Sequence, residues 1–564
     1  MARTVAIGEQ DFEEIVQKNY FYIDKTMFIK EWWESGDSVT LLTRPRRFGK
    51  TLNMSMLKKF FSIKYANRKD LFERFVIWKD EEYRKLQGTY PVISLSFAKV
   101  KDTNLKDAKK QIRGIIKRVY KEYLFLRESD ILTEDDKSYF HSVLSNEADD
   151  VDIAESIHQL SDFLYRYYGK KVIILLDEYD TPMQEAYING YWEELVAFTR
   201  NLFNSTFKTN PYLARAIMTG ITRVSKESIF SDLNHLEVIT TTSNKYATAF
   251  GFTKEEVKDA LEEYDLSNSQ EEVKYWYDGF IFGKHKDIYN PWSIINLLDK
   301  GEIGIYWANT SSNHLVGKLL REGNKNIKEN FEVLLQGKSL ITQIDEQIVY
   351  NQLDNNATAV WSLLLASGYL KVLECQTIIN GYERVWNYVL TITNYETKRM
   401  FEIMVQEWFQ NVDYDYNDFV KALLLDDVDM MNMYMNRVAL NSFSNFDTGN
   451  RPSGIEPERF YHGFVLGLLV ELKNDYIITS NRESGFGRYD VMIEPRDVTK
   501  NDAIILEFKV MNEKSEATLE DTVQVALKQI EEKQYKVQLM ERGIPKERIR
   551  SYGFAFRGKK VLIG

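Results

Sequence analysis

Cysteine is almost absent from this chain of 564 residues, which contains only Cys375. A single cysteine excludes an internal disulfide and a cysteine-rich zinc site. Histidine is rare as well, because the chain has six, and none of them shows HExxH or HxH spacing. A histidine-based metal site is therefore not expected either.

Long hydrophobic runs are also missing. Apolar runs such as VIILL (172–176) and FVLGLLV (464–470) are far shorter than the roughly 20 residues that span a bilayer. The first residues, MARTVAIGEQDFEEIV, are polar and acidic and lack the apolar core of a signal peptide. We therefore expect a cytoplasmic protein with no membrane partner.

Basic residues are in the minority, with 73 Lys and Arg against 84 Asp and Glu and a net charge of −11. Taken over the whole chain, this charge argues against a non-specific coat for nucleic acid. Charge is a local property, however. Residues 40–74 contain ten Lys and Arg against two Asp and Glu, and residues 456–564 contain 18 of each sign. The net charge therefore does not exclude local binding of nucleic acid.

The length favours about three or four domains, since one hydrophobic core rarely serves more than about 250–300 residues. A content of 44% hydrophobic and 13% aromatic residues excludes a disordered chain. In the first part, short apolar runs alternate with longer amphipathic stretches, which favours a parallel sheet covered by helices. These runs are SVTLLT (38–43), PVISLSF (91–97), KVIILLD (171–177) and ARAIMTG (214–220).

From about residue 251 the sequence becomes mostly helical, and a compact α/β tail follows the segment PSGIEPERF (452–460). We predict an α/β fold class with three domains: a parallel-sheet domain at 1–250, a helical middle at 251–450 and a compact α/β domain at 451–564. In the middle, VWSLLLASGYLKV (360–372) followed by the hairpin-like NYVLTITN (387–394) predicts a winged-helix module. Such a module contacts DNA or serves in packing or oligomerisation.

The segment RPRRFGKT (44–51) follows the first apolar run and fits the pattern GxxxxGK[ST], except that Arg44 replaces the first glycine. A strand that ends in a tight loop at a helix N-terminus is suited to binding the phosphates of ATP. Gly49 allows close backbone approach, Lys50 would reach the outer phosphates and Thr51 would ligate Mg²⁺. The alternative is a chance GKT in a basic loop.

An acidic strand end supports the ATP site. In KKVIILLDEYD, Asp177 and Glu178 follow five apolar residues. Asp177 would hold Mg²⁺, and Glu178 would orient or deprotonate the attacking water. Arg46 and Arg47 are interpreted as a phosphate clamp, an interface or a nucleic-acid contact. In TGITRVS (219–225), Arg223 would supply charge in the transition state, or it is simply solvated.

Eight segments in this part of the chain resemble the AAA-ATPase-like family of bacterial and archaeal proteins, in the right order over residues 5–300. They are FYIDKT (21–26), RPRRFGKT (44–51), LLDEYDTP (175–182), TGITRVS (219–225), SIFSDLNHL (228–236), FGFTKEEV (250–257), YWYDGF (275–280) and YNPWSI (289–294). The resemblance implies an ATP-binding P-loop domain with Lys50, Thr51, Asp177 and Glu178 in matching positions. Members of this family also begin the phosphate loop with arginine. In YWYDGF, the aromatic residues would stack on a base or pack the helical part onto the ATPase.

The tail contains a second group of charged residues, in ESGFGRYDVMIEP (483–495) and AIILEFKV (503–510). Alternation along a strand places Glu507 and Lys509 on one face. Two charges on a buried face are costly unless they are paired or bind metal. Together with Asp490, Glu507 would bind Mg²⁺ or Mn²⁺, while Lys509 would position the attacking water. The alternative is a cross-strand ion pair.

This D…ExK arrangement is the signature of the PD-(D/E)XK nucleases. The preceding helix ends in Glu471, which would add a metal ligand, and the following helix contains Gln529 and Tyr535, which resemble the auxiliary polar residues of such nucleases. Residues 455–564 also resemble the PD-(D/E)XK domain that commonly follows this ATPase. That resemblance implies Asp490, Glu507 and Lys509 as the catalytic set, with Arg482, Glu483 and Arg488 as fold contacts or phosphate contacts.

These observations predict a protein that binds or hydrolyses ATP and couples it to metal-dependent cleavage of nucleic acid, DNA in the first place. The expected cofactors are ATP and Mg²⁺, or Mn²⁺ at the nuclease site, and a homo-oligomer is compatible with them. The alternative is a nucleotide-operated switch whose tail binds nucleic acid or a protein without cutting. An ATP-driven motor would need a ring and an arginine finger, and Arg223 alone establishes neither.

Overall fold

The structure, a computed structural model, describes the whole chain except residues 1, 209, 224–232, 234, 309–313, 346–352, 354–355, 381–382, 411–415, 445–455, 485–486, 513–514 and 558–559. It forms two compact units. The first comprises Met1–Leu315 and Ser339–Lys398, and the second comprises Val316–Lys338 and Arg399–Gly564. The division into three domains at residues 250 and 450 stays a prediction.

A five-stranded sheet lies at the centre of the first unit, and all of its strand pairs are parallel. The strand order is β2-β3-β4-β1-β5. Four of the strands coincide with the predicted apolar runs. The strands are β1 (Val39–Thr43), β2 (Val92–Ser96), β3 (Val172–Asp177), β4 (Leu213–Gly220) and β5 (Leu236–Ile239).

Helices lie between the successive strands from β1 to β4, as parallel pairing requires. Five of the helices begin after a residue whose side chain accepts a hydrogen bond from the first turn. Thr133 and Asp136 form a capping box at the start of one helix, and Asp149 and Asp152 form another. The helices are α1 (Phe12–Gln17), α2 (Met27–Glu34), α3 (Lys50–Phe61), α4 (Glu81–Leu86), α5 (Leu105–Lys121), α6 (Glu134–Ser145), α7 (Asp150–Tyr168), α8 (Thr181–Asn189) and α9 (Trp192–Phe203).

The segment after the sheet is helical, as expected, but it also contains a two-stranded hairpin that the sequence did not predict. The hairpin turns at Gly283, whose φ of 56° suits glycine, and a Cβ there would lie 2.4 Å from Oδ1 of Asn244. The elements are α10 (Lys254–Glu263), α11 (Gln270–Tyr277), β6 (Phe280–Phe282), β7 (His285–Ile288) and α12 (Pro291–Lys300).

The YWYDGF segment packs within the first unit. Tyr277 is buried with Leu261 and Ile294, and the ring centroids of Trp276 and Tyr395 lie 4.8 Å apart, edge to face. Phe21, from the predicted ATPase part, belongs to the same buried cluster, which favours the alternative in which these residues pack the helical part onto the ATPase.

The negatively charged form of Asp278, the acidic residue of this segment, is disfavoured in the folded protein. Burial and then the charge of Asp287 raise the pKa of its carboxyl group to about 6, against the opposing effect of Lys371. In an unfolded chain an aspartate titrates near about 3.9. The unfolded state therefore ionises first, and this site loses stability as the pH rises from about 4 to about 6.

We expect Asp278→Asn to stabilise the first unit at pH 7.5 by about 1 kcal/mol, after allowing for solvent screening of a half-buried group. This corresponds to a midpoint of thermal unfolding about 1–2 °C higher. The gain should be smaller at pH 5, where the wild-type carboxyl group is mostly protonated. Asp259→Asn, at an exposed position on α10, is the matched control. A variant that is less stable than the wild type at pH 7.5 would contradict this prediction.

Among the described residues, 339–392 add a helix and a three-stranded antiparallel sheet of order β8-β10-β9 to the first unit. Two further helices at 314–335 belong almost entirely to the second unit. A helix followed by a hairpin is the element order of the predicted winged-helix module, whose contact with DNA stays a prediction. The elements are α13 (His314–Glu322), α14 (Lys325–Leu335), β8 (Leu340–Thr342), α15 (Ala357–Ala366), β9 (Leu370–Asn380) and β10 (Glu383–Ile392).

The tail folds around a mixed sheet of order β11-β12-β13-β14-β15, in which only the pair β13–β14 is parallel. Helices cover both of its faces. The elements are α16 (Tyr395–Gln410), α17 (Tyr416–Leu425), α18 (Val428–Ser444), α19 (Glu456–Leu472), β11 (Tyr476–Ser484), β12 (Gly487–Pro495), β13 (Ala503–Val510), α20 (Leu519–Glu532), α21 (Tyr535–Glu541), β14 (Ile549–Arg557) and β15 (Lys560–Ile563).

The predicted α/β class, with a parallel sheet first, helices in the middle and a mixed sheet at the end, is confirmed. Over the described part of the chain, no helix has both the length and the apolar character needed to cross a membrane.

Candidate functional sites

The phosphate loop, residues 44–51, connects the fully buried strand β1 to helix α3. Gly49 precedes the helix with a left-handed φ of 78°, a conformation that glycine adopts without strain. It has no side chain to cap the first turn, so the amide groups at the start of α3 are not covered by a capping residue. This is the local geometry that a helix N-terminus needs to bind phosphate.

Lys50 and Thr51 connect this loop to its surroundings. The buried amino group of Lys50 donates hydrogen bonds to the carbonyl oxygens of Arg44 and Pro45, at 2.9 and 2.8 Å. The hydroxyl group of Thr51 donates to Oδ2 of Asp177 at 2.8 Å. The structure thus brings together the loop and the acidic end of β3, which are 126 residues apart in sequence.

Asp177 is buried, and burial raises the pKa of its carboxyl group, while hydrogen bonds from Thr219 and Thr51 lower it. Glu178 follows with a φ of 51°, and its Oε2 accepts a hydrogen bond from the hydroxyl group of Thr181 at 3.1 Å. Such a φ is uncommon for a residue with a side chain and directs Glu178 away from the path of the strand. The carboxylates of Asp177 and Glu178 therefore differ in environment, and their roles stay predictions.

A cavity of about 380 Å³ adjoins the phosphate loop, and Gly49, Lys50, Thr51 and Glu178 line it. Its other walls come from segments that the phosphate-loop pattern does not contain. They contribute mainly apolar groups, among them Val5, Ala6, Ile23, Phe252, Trp292 and Ile295. Ile23, Phe252 and Trp292 belong to FYIDKT, FGFTKEEV and YNPWSI, respectively. Those three segments were therefore the feature of the sequence from which this wall of the cavity could have been predicted. The aromatic residues of YWYDGF are not among those that line it.

Three arginines of the loop have different environments. Arg46 donates a hydrogen bond to Oε1 of Gln184 at 3.2 Å. The guanidinium group of Arg47 lies 4.2 Å from the ring centre of Trp292. Arg46 and Arg47 both line the cavity. Arg44 is fully buried, and burial lowers its pKa to about 9. Its Nη1 donates to the carbonyl oxygen of Thr240 at 2.7 Å.

Arg223 is not among the residues that line the large cavity. It lines a separate one of about 20 Å³, together with Thr43 and Thr240. Residues 224 and 225 of TGITRVS and most of SIFSDLNHL lie outside the described residues.

A residue of this site that the sequence did not reveal is Asp180, which is buried and accepts hydrogen bonds from the backbone N–H groups of Ile221 and Thr222 at 2.9 and 2.8 Å. It joins the ends of β3 and β4. Gly220 is required beside it, because a Cβ at that position would lie 2.6 Å from Oδ1 of Asp180.

The second site lies on two neighbouring strands of the tail. Strand β12 pairs antiparallel with β13, with Val491 opposite Leu506. Asp490 directly precedes Val491 on β12, and Glu507 directly follows Leu506 on β13. The Oδ2 atom of Asp490 accepts a hydrogen bond from the backbone N–H of Phe508 at 2.8 Å. The amino group of Lys509 lies 3.5 Å from Oε1 of Glu507. The structure therefore brings Asp490, Glu507 and Lys509 together.

Glu507 is only 1% exposed, and this burial decides its electrostatics. Burial and then the charge of Asp490 raise its pKa to about 8, against the opposing effect of Lys509. Its Oε1 accepts a hydrogen bond from Nε2 of Gln529, which also lies 3.4 Å from the hydroxyl group of Tyr535. Its Oε2 is buried and has no hydrogen-bond partner among the described residues.

Helix α20 delivers Gln529 to this carboxylate because the helix packs closely on the sheet. Gly553 of β14 lies next to Glu507 in the parallel ladder. A Cβ at Gly553 would be 2.8 Å from the carbonyl oxygen of Val523 and 3.0 Å from Cβ of Ala526. Glycine at this position therefore permits the close approach of α20.

Both parts of the chain match known families. Residues 6–230 match the family described as predicted AAA-ATPase, and residues 456–564 match the PD-(D/E)XK nuclease superfamily. The chain carries these two domains in that order. Both families consist typically of hydrolytic enzymes that use nucleotide or divalent metal.

A curated relative is an uncharacterized protein encoded in the vnfD 5′ region of Azotobacter chroococcum mcd 1. It is 25% identical over 379 residues, which is 67% of this chain and 65% of the relative. The match thus spans less than two thirds of the relative's own length.

Within the PD-(D/E)XK domain, Glu471 does not join Asp490 and Glu507 in a cluster. Among the described residues, no group of three or more acidic, histidine or cysteine side chains could hold one metal ion. Helix α19 packs on the sheet face that carries Val491 and Leu506, whereas Glu507 alternates to the other face. The role of Glu471 as a ligand stays a prediction, and the side chains of Arg482, Glu483 and Arg488 lie outside the described part.

The side chains at both sites fit the groups that these families use. In the nuclease-superfamily domain, two neighbouring carboxylates, one of which has a buried unpartnered oxygen, favour a divalent cation. In the AAA-ATPase-like domain, the buried amino group of Lys50 and the uncapped start of α3 suit a phosphate chain.

Proposed function

We propose that this protein binds and hydrolyses ATP in its AAA-ATPase-like domain and cleaves the phosphodiester bonds of nucleic acid, in the first place DNA, in its PD-(D/E)XK domain. The observation that carries the proposal is Glu507, a carboxylate that is 1% exposed and lies beside Asp490 with one oxygen unpartnered among the described residues. A purely structural ion pair would satisfy both oxygens of such a buried group.

In the ATPase-like domain, Lys50 would exchange the carbonyl oxygens of Arg44 and Pro45 for the outer phosphates. Thr51 and Asp177, which already share a hydrogen bond of 2.8 Å, would hold Mg²⁺. Glu178 lines the same cavity and would accept the proton of the attacking water. Arg46 and Arg47 line it too and would contact the phosphates, and the apolar wall would accept the base.

In the nuclease-superfamily domain, Asp490 and Glu507 would hold Mg²⁺ or Mn²⁺, which supplies Lewis-acid charge at the scissile phosphate. Lys509, whose amino group is 3.5 Å from Glu507, would orient the attacking water or stabilise the charge that develops on the phosphate. Gln529 and Tyr535 would position the Glu507 carboxylate, because Gln529 donates to it and contacts the hydroxyl group of Tyr535. A cytoplasmic location and a homo-oligomer stay predictions.

The proposal is tested with purified full-length protein and end-labelled duplex DNA, single-stranded DNA and RNA, in Mg²⁺ or Mn²⁺, with and without ATP. We expect cleavage of at least one substrate that requires the metal and falls by about 100-fold or more in Lys509→Met. Lys528→Met, at an exposed position of the same domain, should cleave like the wild type.

Two outcomes would contradict the proposal. Cleavage that is equally strong in Lys509→Met would place the active site elsewhere. If none of the substrates is cut with either metal while the protein binds ATP, the nucleotide-operated switch becomes the better description.

A further inference from the structure

Helix α5 carries four lysines on one side: Lys106, Lys110, Lys117 and Lys121. At 3.6 residues per turn their side chains fall within a sector of about 60° around the helix axis. Lys106, Lys110 and Lys121 are exposed, and Lys117 is half-buried. We call these four residues the lysine stripe.

The rest of the helix fixes the direction of the stripe. The opposite side of α5 is buried in the first unit and supplies Ala108, Ile112, Ile115, Ile116, Val119 and Tyr120 to the core. Because this apolar side is already covered, the helix cannot turn it towards a lipid surface. The stripe therefore presents charge alone to its surroundings, which argues against insertion into a membrane.

The lysines of the stripe form no ion pair with any carboxylate in the described part of the chain, in contrast to their neighbours. On the same helix, Lys109 and Arg113 both pair with Asp150, at 2.8 and 2.6 Å. The carboxylate of Glu122, at the end of the helix, lies 3.0 Å from Lys64. Asp150 and Glu122 thus serve other cations, and Asp107, in the first turn of α5, accepts a hydrogen bond from the side-chain amide of Asn104.

A solvated helix face normally mixes charges of both signs, because like charges four residues apart destabilise a helix. The stripe contains two such pairs, Lys106 with Lys110 and Lys117 with Lys121. Lys106 also lies in the first turn, where a positive charge opposes the helix dipole. An uncompensated row of this kind in a chain of net charge −11 indicates an anionic partner rather than simple solvation.

The dimensions of the stripe favour a polyanion. From Lys106 to Lys121 the helix rises by about 22 Å, a length over which one strand of duplex DNA presents about six phosphates. A linear array of ammonium groups suits such a backbone, and contacts of this kind position a nucleic acid without reading its sequence.

We propose that the lysine stripe of α5 binds the phosphate backbone of nucleic acid independently of its sequence. The inference rests on the proposed function, because it gives the ATPase-like domain a contact with the substrate of the nuclease-superfamily domain. It adds a binding surface that neither candidate active site contains.

The test measures binding without cleavage. Fluorescence anisotropy in EDTA follows the full-length protein with labelled 30-base-pair DNA, 30-nucleotide single-stranded DNA and 30-nucleotide RNA over a range of salt concentrations. The variant carries Lys106→Gln, Lys110→Gln, Lys117→Gln and Lys121→Gln together. The control carries Lys79→Gln, Lys85→Gln, Lys254→Gln and Lys258→Gln, four exposed positions of the same unit with the same change in charge.

We expect the stripe variant to bind at least about ten-fold more weakly at moderate salt. With duplex DNA, the slope of log K against log salt concentration should become shallower by up to about 3.6 units. The control should stay within about two-fold of the wild type. The probe with the largest stripe-dependent loss identifies the nucleic acid. Binding of ATP and the thermal transition, unchanged in both variants, show that the fold is intact.

Three results would overturn the inference. In the first, the stripe variant binds all three probes like the control. In the second, the wild type binds none of them. In the third, a parallel sedimentation assay shows that binding to anionic phosphatidylserine vesicles needs the stripe, whereas binding to nucleic acid does not. The proposed function is judged separately by metal-dependent cleavage and its loss in Lys509→Met, so the two can fail independently.

Discussion

Replacing Asp490 by asparagine is expected to lower metal-dependent cleavage of nucleic acid by about 1,000-fold or more, which equals about 4 kcal/mol of transition-state stabilisation. The amide keeps an oxygen that can accept the backbone N–H of Phe508, a contact of 2.8 Å in the wild type. It removes the negative charge beside Glu507, which would hold the cation together with Asp490. A gel assay with end-labelled duplex DNA in Mn²⁺ measures the loss.

A second measurement separates loss of the metal site from loss of the fold. Binding of Mn²⁺ to the folded wild type should raise its midpoint of thermal unfolding, because a ligand that binds only the native state stabilises it. This rise should disappear in Asp490→Asn, whereas the midpoint without metal should change little. Asp475→Asn, an exposed position of the same unit, should retain both cleavage and the rise. Full cleavage by Asp490→Asn would exclude Asp490 from the active site.

The strands of the parallel sheet could be predicted as far as each is a short apolar run. Strand β5 could not, because it has only four residues and most of them are partly exposed. The strand order was equally inaccessible, since it rests on pairs that are far apart in sequence, such as Thr40 with Ile217. Periodicity describes one segment at a time and contains no information about its partner.

The support of the phosphate loop was also hidden from the sequence. The guanidinium group of Arg44 donates to the carbonyl oxygen of Thr240. The backbone oxygen of Arg46 accepts a hydrogen bond from the indole N–H of Trp307 at 3.0 Å. The ring of Phe48 packs against those of Phe280 and Phe282. These partners follow the loop residues by between 196 and 261 residues. They hold the loop in place before any ligand binds, so binding a phosphate chain requires less ordering of the backbone.

In the tail, alternation along β13 was enough to place Glu507 and Lys509 on one face. The degree of burial of Glu507 was not predictable, because it depends on how closely α20 packs at Gly553. The helix before the sheet suggested Glu471 as a third ligand, but the sequence does not say on which face of the sheet a helix will pack. The structure places that helix against the face opposite to Glu507.

The prearranged loop leads to the second large effect. We expect Lys50→Met to raise the Kd for ATP in the presence of Mg²⁺ by about 10–100-fold, since a hydrogen bond to a charged group contributes about 1.5–3 kcal/mol. Methionine fills a similar space but offers no charge to the phosphates. Titration with a fluorescent ATP analogue, followed by competition with ATP, measures the change.

Comparison with adenosine distinguishes a phosphate contact from collapse of the loop. The amino group of Lys50 also holds the carbonyl oxygens of Arg44 and Pro45, so its removal would disturb the cavity if those bonds were its main role. In that case the affinities for adenosine and for ATP would fall by similar factors. A phosphate-binding lysine instead gives a selective loss of ATP affinity with little change for adenosine. Lys58→Met, two turns further along α3, provides the matched control. Unchanged ATP affinity in Lys50→Met would refute the assignment of residues 44–51 as a phosphate loop.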